Sequence, residues 1–176
     1  EEALKCCDKA IALLPADAKD QYADANGYYF QNRWCQKADA LAQLGKHEEA
    51  IKCYDKALEL DPKFGLAWNN KGSALRRLDK KEEALEYFEK ALELDPKYIR
   101  AWNNKGIALD GLQKYEEAIK CYDKAIELDP KLWSSWNGKA ETFSKLKKYE
   151  EAIKCLEKSL ELLPNELHSS AWHNKG

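Results

Sequence analysis

Between Ala101 and Leu112, apolar or small residues fall at Trp102, Gly106, Leu109 and Leu112, a spacing that puts all four on one helical face. Tyr115 to Leu128 repeats the logic with Ala118, Ile119, Tyr122, Ala125 and Ile126. Only Gln113 and Lys114 separate the two stretches, which leaves room for a tight turn. The pattern therefore predicts two antiparallel helices, A and B. Helix B opens on Glu116-Glu117, where negative charge suits the positive end of the macrodipole. Glu116 and Lys120 form an i,i+4 pair, copied at Glu1/Lys5, Glu48/Lys52 and Glu150/Lys154; each contributes only a few tenths of a kcal/mol. Asp129-Pro130 ends helix B, because a residue before proline is pushed out of the helical region. Pro130 also suits the first turn of the next element.

The pattern is copied. Trp34, Trp68, Trp102 and Trp136 stand 34 residues apart, as do Pro62, Pro96, Pro130 and Pro164, and the Glu-Glu-Ala triplets at Glu48, Glu82, Glu116 and Glu150. A unit this short cannot bury its own apolar face, so neighbouring copies must stack into an extended array with no obvious closed pocket for chemistry. Small residues explain how the helices approach. Gly72 and Gly106, with Ala38 and Ala140 in the other copies, lie four residues after each Trp, and Ala50, Ala84, Ala118 and Ala152 lie early in helix B. The Trp residues, with Tyr54, Phe88, Tyr122 and Leu156, are expected to fill the space around them.

The period divides the chain into helix B of a first repeat (1–15), an insertion leading into the next repeat (16–30), full copies at 31–64, 65–98, 99–132 and 133–168, and the start of another at 169–176. This is expected of a fragment of a longer protein. The insertion adds 13 residues, including Tyr22, Tyr28, Tyr29 and Phe30. Tyr22/Tyr29 and Phe30/Trp34 keep helical spacing, so part of it is expected to extend helix A, with Gly27 as an interruption. Its aromatics either cover the end of the stack or shape a binding surface. A two-residue break between Pro164 and Trp172 reads as a longer loop.

Trp, then Gly or Ala four residues on, then Leu, and after them Ala-x3-Tyr/Phe and Ala-x4-Pro at this period, resembles the tetratricopeptide repeat over Gln31 to about Glu166. The resemblance implies an all-α, right-handed α-solenoid of antiparallel helix pairs. One departure is consistent: where the family usually has Leu three residues after the Trp, this chain has Lys37, Lys71, Lys105, Lys139 and Lys175. A long lysine can lay its stem on apolar surface and keep its charge wet. A lysine ladder that touches ligand is the alternative.

Composition narrows the function classes. Net charge is −2, from 29 basic and 31 acidic residues of 176, with the signs alternating along each helix, so nucleic acid is not an expected partner. No apolar run reaches the roughly 18 residues of a spanning helix, and no signal peptide is visible, so no membrane partner is expected. Of six cysteines, Cys6, Cys53, Cys121 and Cys155 share one place in successive B helices, with Tyr87 in that place between them. Exchange with Tyr marks a packing position. There is no C-x-x-C pair, and His47, His168 and His173 are not grouped with the cysteines, so neither a disulfide framework nor a metal site is expected, and a cytoplasmic setting is. No catalytic constellation, phosphate loop or cofactor motif is present. The paired carboxylates recur at every helix B start, where a structural role explains them. The expectation is a chain that is not an enzyme and carries no cofactor.

In tetratricopeptide proteins ligands usually lie in the groove lined by the A helices, which here implies their exposed faces. The position after each Trp holds Cys35, Asn69, Asn103, Asn137 and His173; the next holds Gln36, Asn70, Asn104, Gly138 and Asn174. An Asn side chain both donates and accepts, so a row of them can pair with peptide amides whatever the side chains. Arg76, Arg77 and Arg100 add positive charge, with Asp39, Asp110 and Glu141 opposing it. Chaperone-binding members clamp a C-terminal carboxylate with Lys, Asn and Arg. Here the matching positions hold Cys35, Asp39, Asn69, Ser73 and Gly138, so chaperone tails are not expected. Cys35 is the one thiol expected on the groove face. The expected function is protein–protein interaction, with an extended peptide or a partner helix in the groove. The alternatives are a structural spacer or end-to-end self-association, and a substrate-recruiting arm of an enzyme whose catalytic domain lies elsewhere.

Overall fold

The computed structural model describes residues 28–162, together with Lys5. They form eight helices and no strand: α1 (Tyr28–Gln43), α2 (His47–Leu60), α3 (Gly65–Arg77), α4 (Lys81–Leu94), α5 (Ile99–Gly111), α6 (Tyr115–Leu128), α7 (Trp133–Lys145) and α8 (Tyr149–Leu162). The chain divides into two compact units at Pro96/Lys97. In the first, α1 pairs with α2 and α3 with α4, and α3 also packs on α2 and touches α1. In the second, α5 pairs with α6 and α7 with α8, and α7 packs on α6 and touches α5. Odd-numbered helices are the predicted A helices and even-numbered ones the B helices.

The boundaries follow from local chemistry. Each A-to-B turn passes through a left-handed residue: Gly45 (φ 77°), Asp79 (62°), Gln113 (62°) and Lys147 (60°). The next amide reaches back five residues, with Lys46, Lys80, Lys114 and Lys148 N–H donating to the carbonyls of Leu41, Leu75, Leu109 and Phe143 at 2.9–3.0 Å. This closes orphan carbonyls at the helix end. Three of the four left-handed positions hold a side chain where glycine is the unstrained choice. The B helices end as the Asp-Pro signal predicts: Asp61, Asp95 and Asp129 are extended, with φ of −138°, −139° and −141°. Asp61 and Asp129 also accept hydrogen bonds from the Lys63 and Lys131 amides at 2.9 and 3.0 Å.

The core runs between the helices of each hairpin and on into the seam with its neighbour. Ala38, Ala50, Ala57 and Ala67 are fully buried in the first unit, as are Ala101, Ala108, Ala118, Ala125 and Ala140 in the second. A Cβ on Gly72 would sit 2.7 Å from Phe88 Cε1, and one on Gly106 would sit 2.7 Å from Tyr122 Cε1. A Cβ on Gly138, in the following hairpin, would sit 2.7 Å from Cζ of the same Tyr122 ring. Tyr122 thus fills two small-residue gaps at once.

The tryptophans are only half-buried. Trp68 and Trp136 donate from Nε1 to the carbonyls of Pro62 and Pro130, at 2.8 and 3.1 Å, which folds each indole back onto the turn before its own helix. The central filling of the core is done instead by Tyr54, Phe88 and Tyr122, exposed by 2 % or less.

α1 takes in Tyr28, Tyr29 and Phe30 and runs 16 residues where α3, α5 and α7 run 13, so this end of the insertion extends helix A. The rest of the insertion, including Tyr22 and Gly27, lies outside the described residues. So do the rest of helix B of the first repeat, Cys6 included, the break after Pro164 and the repeat start at 169–176. α8 carries an exposed apolar stripe of Tyr149, Ile153, Leu156 and Leu160. The matching residues of α2 and α6, which adjoin a following A helix, are buried or half-buried.

Candidate functional site

The lysine row belongs to the packing. Lys71 is 7 % exposed, lies 4.3 Å from the centroid of Tyr87 and pairs with Asp55 on the preceding hairpin. Lys139 does the same one unit on, 2.6 Å from Asp123 and 5.9 Å from the Trp136 ring. Lys37 and Lys105 lie over Trp34 and Trp102 at 5.6 and 5.9 Å. Asp55 and Lys71 come from different repeats, so the pair locks a seam. The charge of Lys71 is therefore not kept in water as expected. Burial works against its charge, but Asp55 and Tyr87 outweigh that and hold its pKa above the usual value.

The asparagines fall into two groups. Asn69 is 3 % exposed and donates to Asn70 Oδ1 at 2.9 Å, so it lies beneath the surface. Asn70 in turn donates to Asp39 at 3.0 Å. In the second unit Asn103 accepts from Ser135 Oγ at 2.8 Å, and Asn137 donates to Glu141 at 2.7 Å. Asn104 is half-buried and Arg100 exposed.

An open cavity of about 420 Å³ lies at the seam of the first unit. Ala42 and Gln43 at the end of α1 form one side, His47 and Tyr54 of α2 the floor, and Asn70, Ser73, Ala74, Arg76 and Arg77 of α3 the other side. Arg76 and Arg77 stand in the last turn of α3, where basic residues suit the negative helix end. Asp39 ties the wall together, accepting from Tyr54 Oη at 2.6 Å as well as from Asn70. Burial first, then that bond and the Asp39 charge, push the Tyr54 pKa up, so the phenol stays a donor. His47 Nδ1 is buried with no hydrogen-bond partner. The site therefore brings Asn70, Arg76 and Arg77 together. His47 is legible in the sequence only as a helix start, and nothing in the repeat pattern announces the cavity.

Cys35 is not on the groove face. It is 2 % exposed, and burial, then the charge of Asp39, push its thiol up to about 12. Cys53, Cys121 and Cys155 are likewise buried, and none of them is in a disulfide. Among the described residues no group of three or more His, Cys, Asp or Glu is placed to hold a metal ion, and no helix is long and apolar enough to cross a membrane.

A tetratricopeptide repeat profile matches residues 35–99, and a second matches 99–132 and 133–166. The chain belongs to the tetratricopeptide repeat family. Its fold class is that family's all-α solenoid of antiparallel helix pairs. Among solved structures, the first tetratricopeptide domain of human RPAP3 is 31% identical, with a TM-score of 0.66, covering 69% of this chain and 96% of that one. The first such domain of Spaghetti (RPAP3), solved with the HSP90 peptide SRMEEVD, is also 31% identical, with a TM-score of 0.65 over 67% and 94% of the two chains. MamA from Desulfovibrio magneticus RS-1 is 24% identical, with a TM-score of 0.70 over 92% and 96%, and attests the fold alone. No curated protein sequence matches. Membership of the family, and a neighbour solved with a peptide, support a protein–protein interaction scaffold.

Proposed function

We propose that this tetratricopeptide protein holds an extended peptide, or one face of a partner helix, along the A helices of its first unit, anchored at the α1–α2–α3 cavity. One observation carries the reading. The first unit leaves an open hollow lined by Asn70, Ser73, Arg76 and Arg77, whereas in the second unit Asn103 and Asn137 are engaged by Ser135 and Glu141. Asn70 already has its amide N–H on Asp39, so it positions the wall as well as facing the ligand. Asn69 acts from beneath, through Asn70. Asn104 and Arg100 are the second unit's other candidates. The peptide bound by the RPAP3 neighbour is a property of that domain. Here the Lys/Asn/Arg clamp positions are occupied by other residues, so the reading is of a peptide and not of that peptide.

Display selection of peptides on the full chain tests this. Selected peptides should lose about tenfold in affinity, or roughly 1.4 kcal/mol, with Arg77→Ala and be indifferent to Lys145→Ala. Peptides indifferent to Asn70→Ala, Arg76→Ala and Arg77→Ala alike would refute the site.

Self-assembly is a second reading, favoured by the exposed α8 stripe of Tyr149, Ile153, Leu156 and Leu160. Sedimentation across a concentration range decides it. Association lost in Ile153→Lys supports it, and a monomer at every concentration removes it.

A further inference from the structure

The two units differ where the end of one A helix meets the next. In the second unit, Asp110 at the end of α5 shares the hydroxyl proton of the fully buried Thr142 with the Gly138 carbonyl, each 2.9 Å from Oγ1, and pairs through its other oxygen with Lys145; Thr142 and Lys145 are both on α7. A carboxylate from one hairpin thus fills the gap and is held by a cation and a hydroxyl of the next. In the first unit the same three positions hold Ala42, Ala74 and Arg77. The cation is kept and the carboxylate is gone. What stands there instead is the open cavity of about 420 Å³, lined also by Arg76, Ser73 and His47.

We infer that the first-unit cavity is a socket for a carboxylate carried by the bound peptide, an Asp or Glu side chain or a chain terminus, which takes the place that Asp110 fills in the second unit. The inference rests on the peptide-binding reading above and adds its chemistry. Arg77 supplies the cation that Lys145 supplies to Asp110. A planar guanidinium matches a carboxylate with two parallel N–H bonds, which an ammonium cannot do. Arg76, Ser73 and His47 line the cavity beside it. Asp39 is the opposing charge in the wall. Its Oδ1 already accepts from Tyr54 and Asn70, which spreads its charge into two donors and limits its repulsion of a second carboxylate. Arg77 is exposed, so its charge is screened by salt until a ligand covers it.

The test is NMR on the full labelled chain, reading the Arg77 Nε–H and His47 ring resonances. Four probes are titrated: N-acetylglutamate α-amide for a side-chain carboxylate, N-acetylglycine for a terminal one, N-acetylglutamine amide as the neutral control, and inorganic phosphate. Both carboxylates should shift these resonances saturably and the neutral amide should not; the tighter of the two identifies the source. Ala42→Asp supplies the missing internal carboxylate. It should move the Arg77 resonance by itself and weaken carboxylate binding at least tenfold. Arg77→Gln, at an exposed position of α3, should abolish binding without any change at Ala42. Asp110→Ala should create a carboxylate response at Lys145. Absence of a saturable carboxylate response, a response to phosphate alone, or undiminished binding in Ala42→Asp would overturn the inference. Peptides that bind the cavity while no carboxylate probe does would overturn it and leave the peptide reading standing. Carboxylates that bind in a chain that takes no peptide would do the reverse.

Discussion

Replacing Lys71 by Met tests whether the lysine row holds the repeats together. Met keeps most of the unbranched stem and its contacts but removes the charge. Three terms then change. The cation over Tyr87, at 4.3 Å and largely out of water, is worth about 1–2 kcal/mol. The pair with Asp55 adds less than about 1 kcal/mol, because the Asp55 side chain is 44 % exposed and solvent screens it. Against these, the buried ammonium no longer has to be kept from water, which returns part of the loss. The net expectation is a destabilisation of about 1–2 kcal/mol, or a Tm lower by roughly 3–6 °C. Urea unfolding followed by circular dichroism and tryptophan fluorescence together is the assay, since repeat arrays need not unfold in one step. A cycle with Asp55→Asn should show a coupling of about 0.5–1 kcal/mol. The pH dependence has a definite sign. The folded-state pKa of Lys71 is raised above 10.5, so its stabilisation is complete below pH 10.5 and is lost as pH climbs through the folded value. Lys71→Met should therefore soften the alkaline decline of the parent. A Met variant as stable as the parent, with no coupling to Asp55, would show the lysine to be a passenger of the repeat.

The other expectations are simpler. Gln113→Gly relieves left-handed strain at φ 62° and should raise stability by about 0.5 kcal/mol after the greater freedom of unfolded glycine is subtracted; an unchanged urea midpoint would contradict it. Gly106→Ala places a methyl 2.7 Å from the Tyr122 ring, itself held on its other side by Gly138, and should destabilise by about 1–3 kcal/mol in urea titrations; a neutral outcome would deny the close approach. Cys35, with its thiol pushed up to about 12, should resist iodoacetamide at pH 8 until the chain unfolds, as read by mass spectrometry of the modified peptide; rapid alkylation of the folded chain would place it at the surface.

Periodicity carried most of the fold into the sequence. The apolar spacing, the Asp-Pro stops and the paired small residues all describe local geometry, which one repeat is long enough to write down. The tryptophans mislead because regular spacing does not tell a core residue from one folded back on a turn. Trp68 and Trp136 each use Nε1 to hold a proline carbonyl, which keeps one edge of the ring near water. The lysine row misleads for a related reason: the partner of Lys71 is Asp55 in the previous copy, and a motif read within one copy cannot show it. The Asn row has the look of free surface, yet Asn103 meets Ser135 of the next hairpin and Asn137 meets Glu141 one turn along its own helix. The cavity depends on Ala42 standing where Asp110 stands in the other unit, a difference visible in the sequence only once the seam gives that position a role.

Tyr122 lies in two joints at the same time, with Gly106 behind it in its own hairpin and Gly138 before it in the next. Peeling α7 away would bare a ring that α5 also leans on, so neither hairpin of the second unit can loosen without weakening its companion. A mechanical pull on that half of the protein should meet a single yield point, as a hinge does when one pin passes through both leaves.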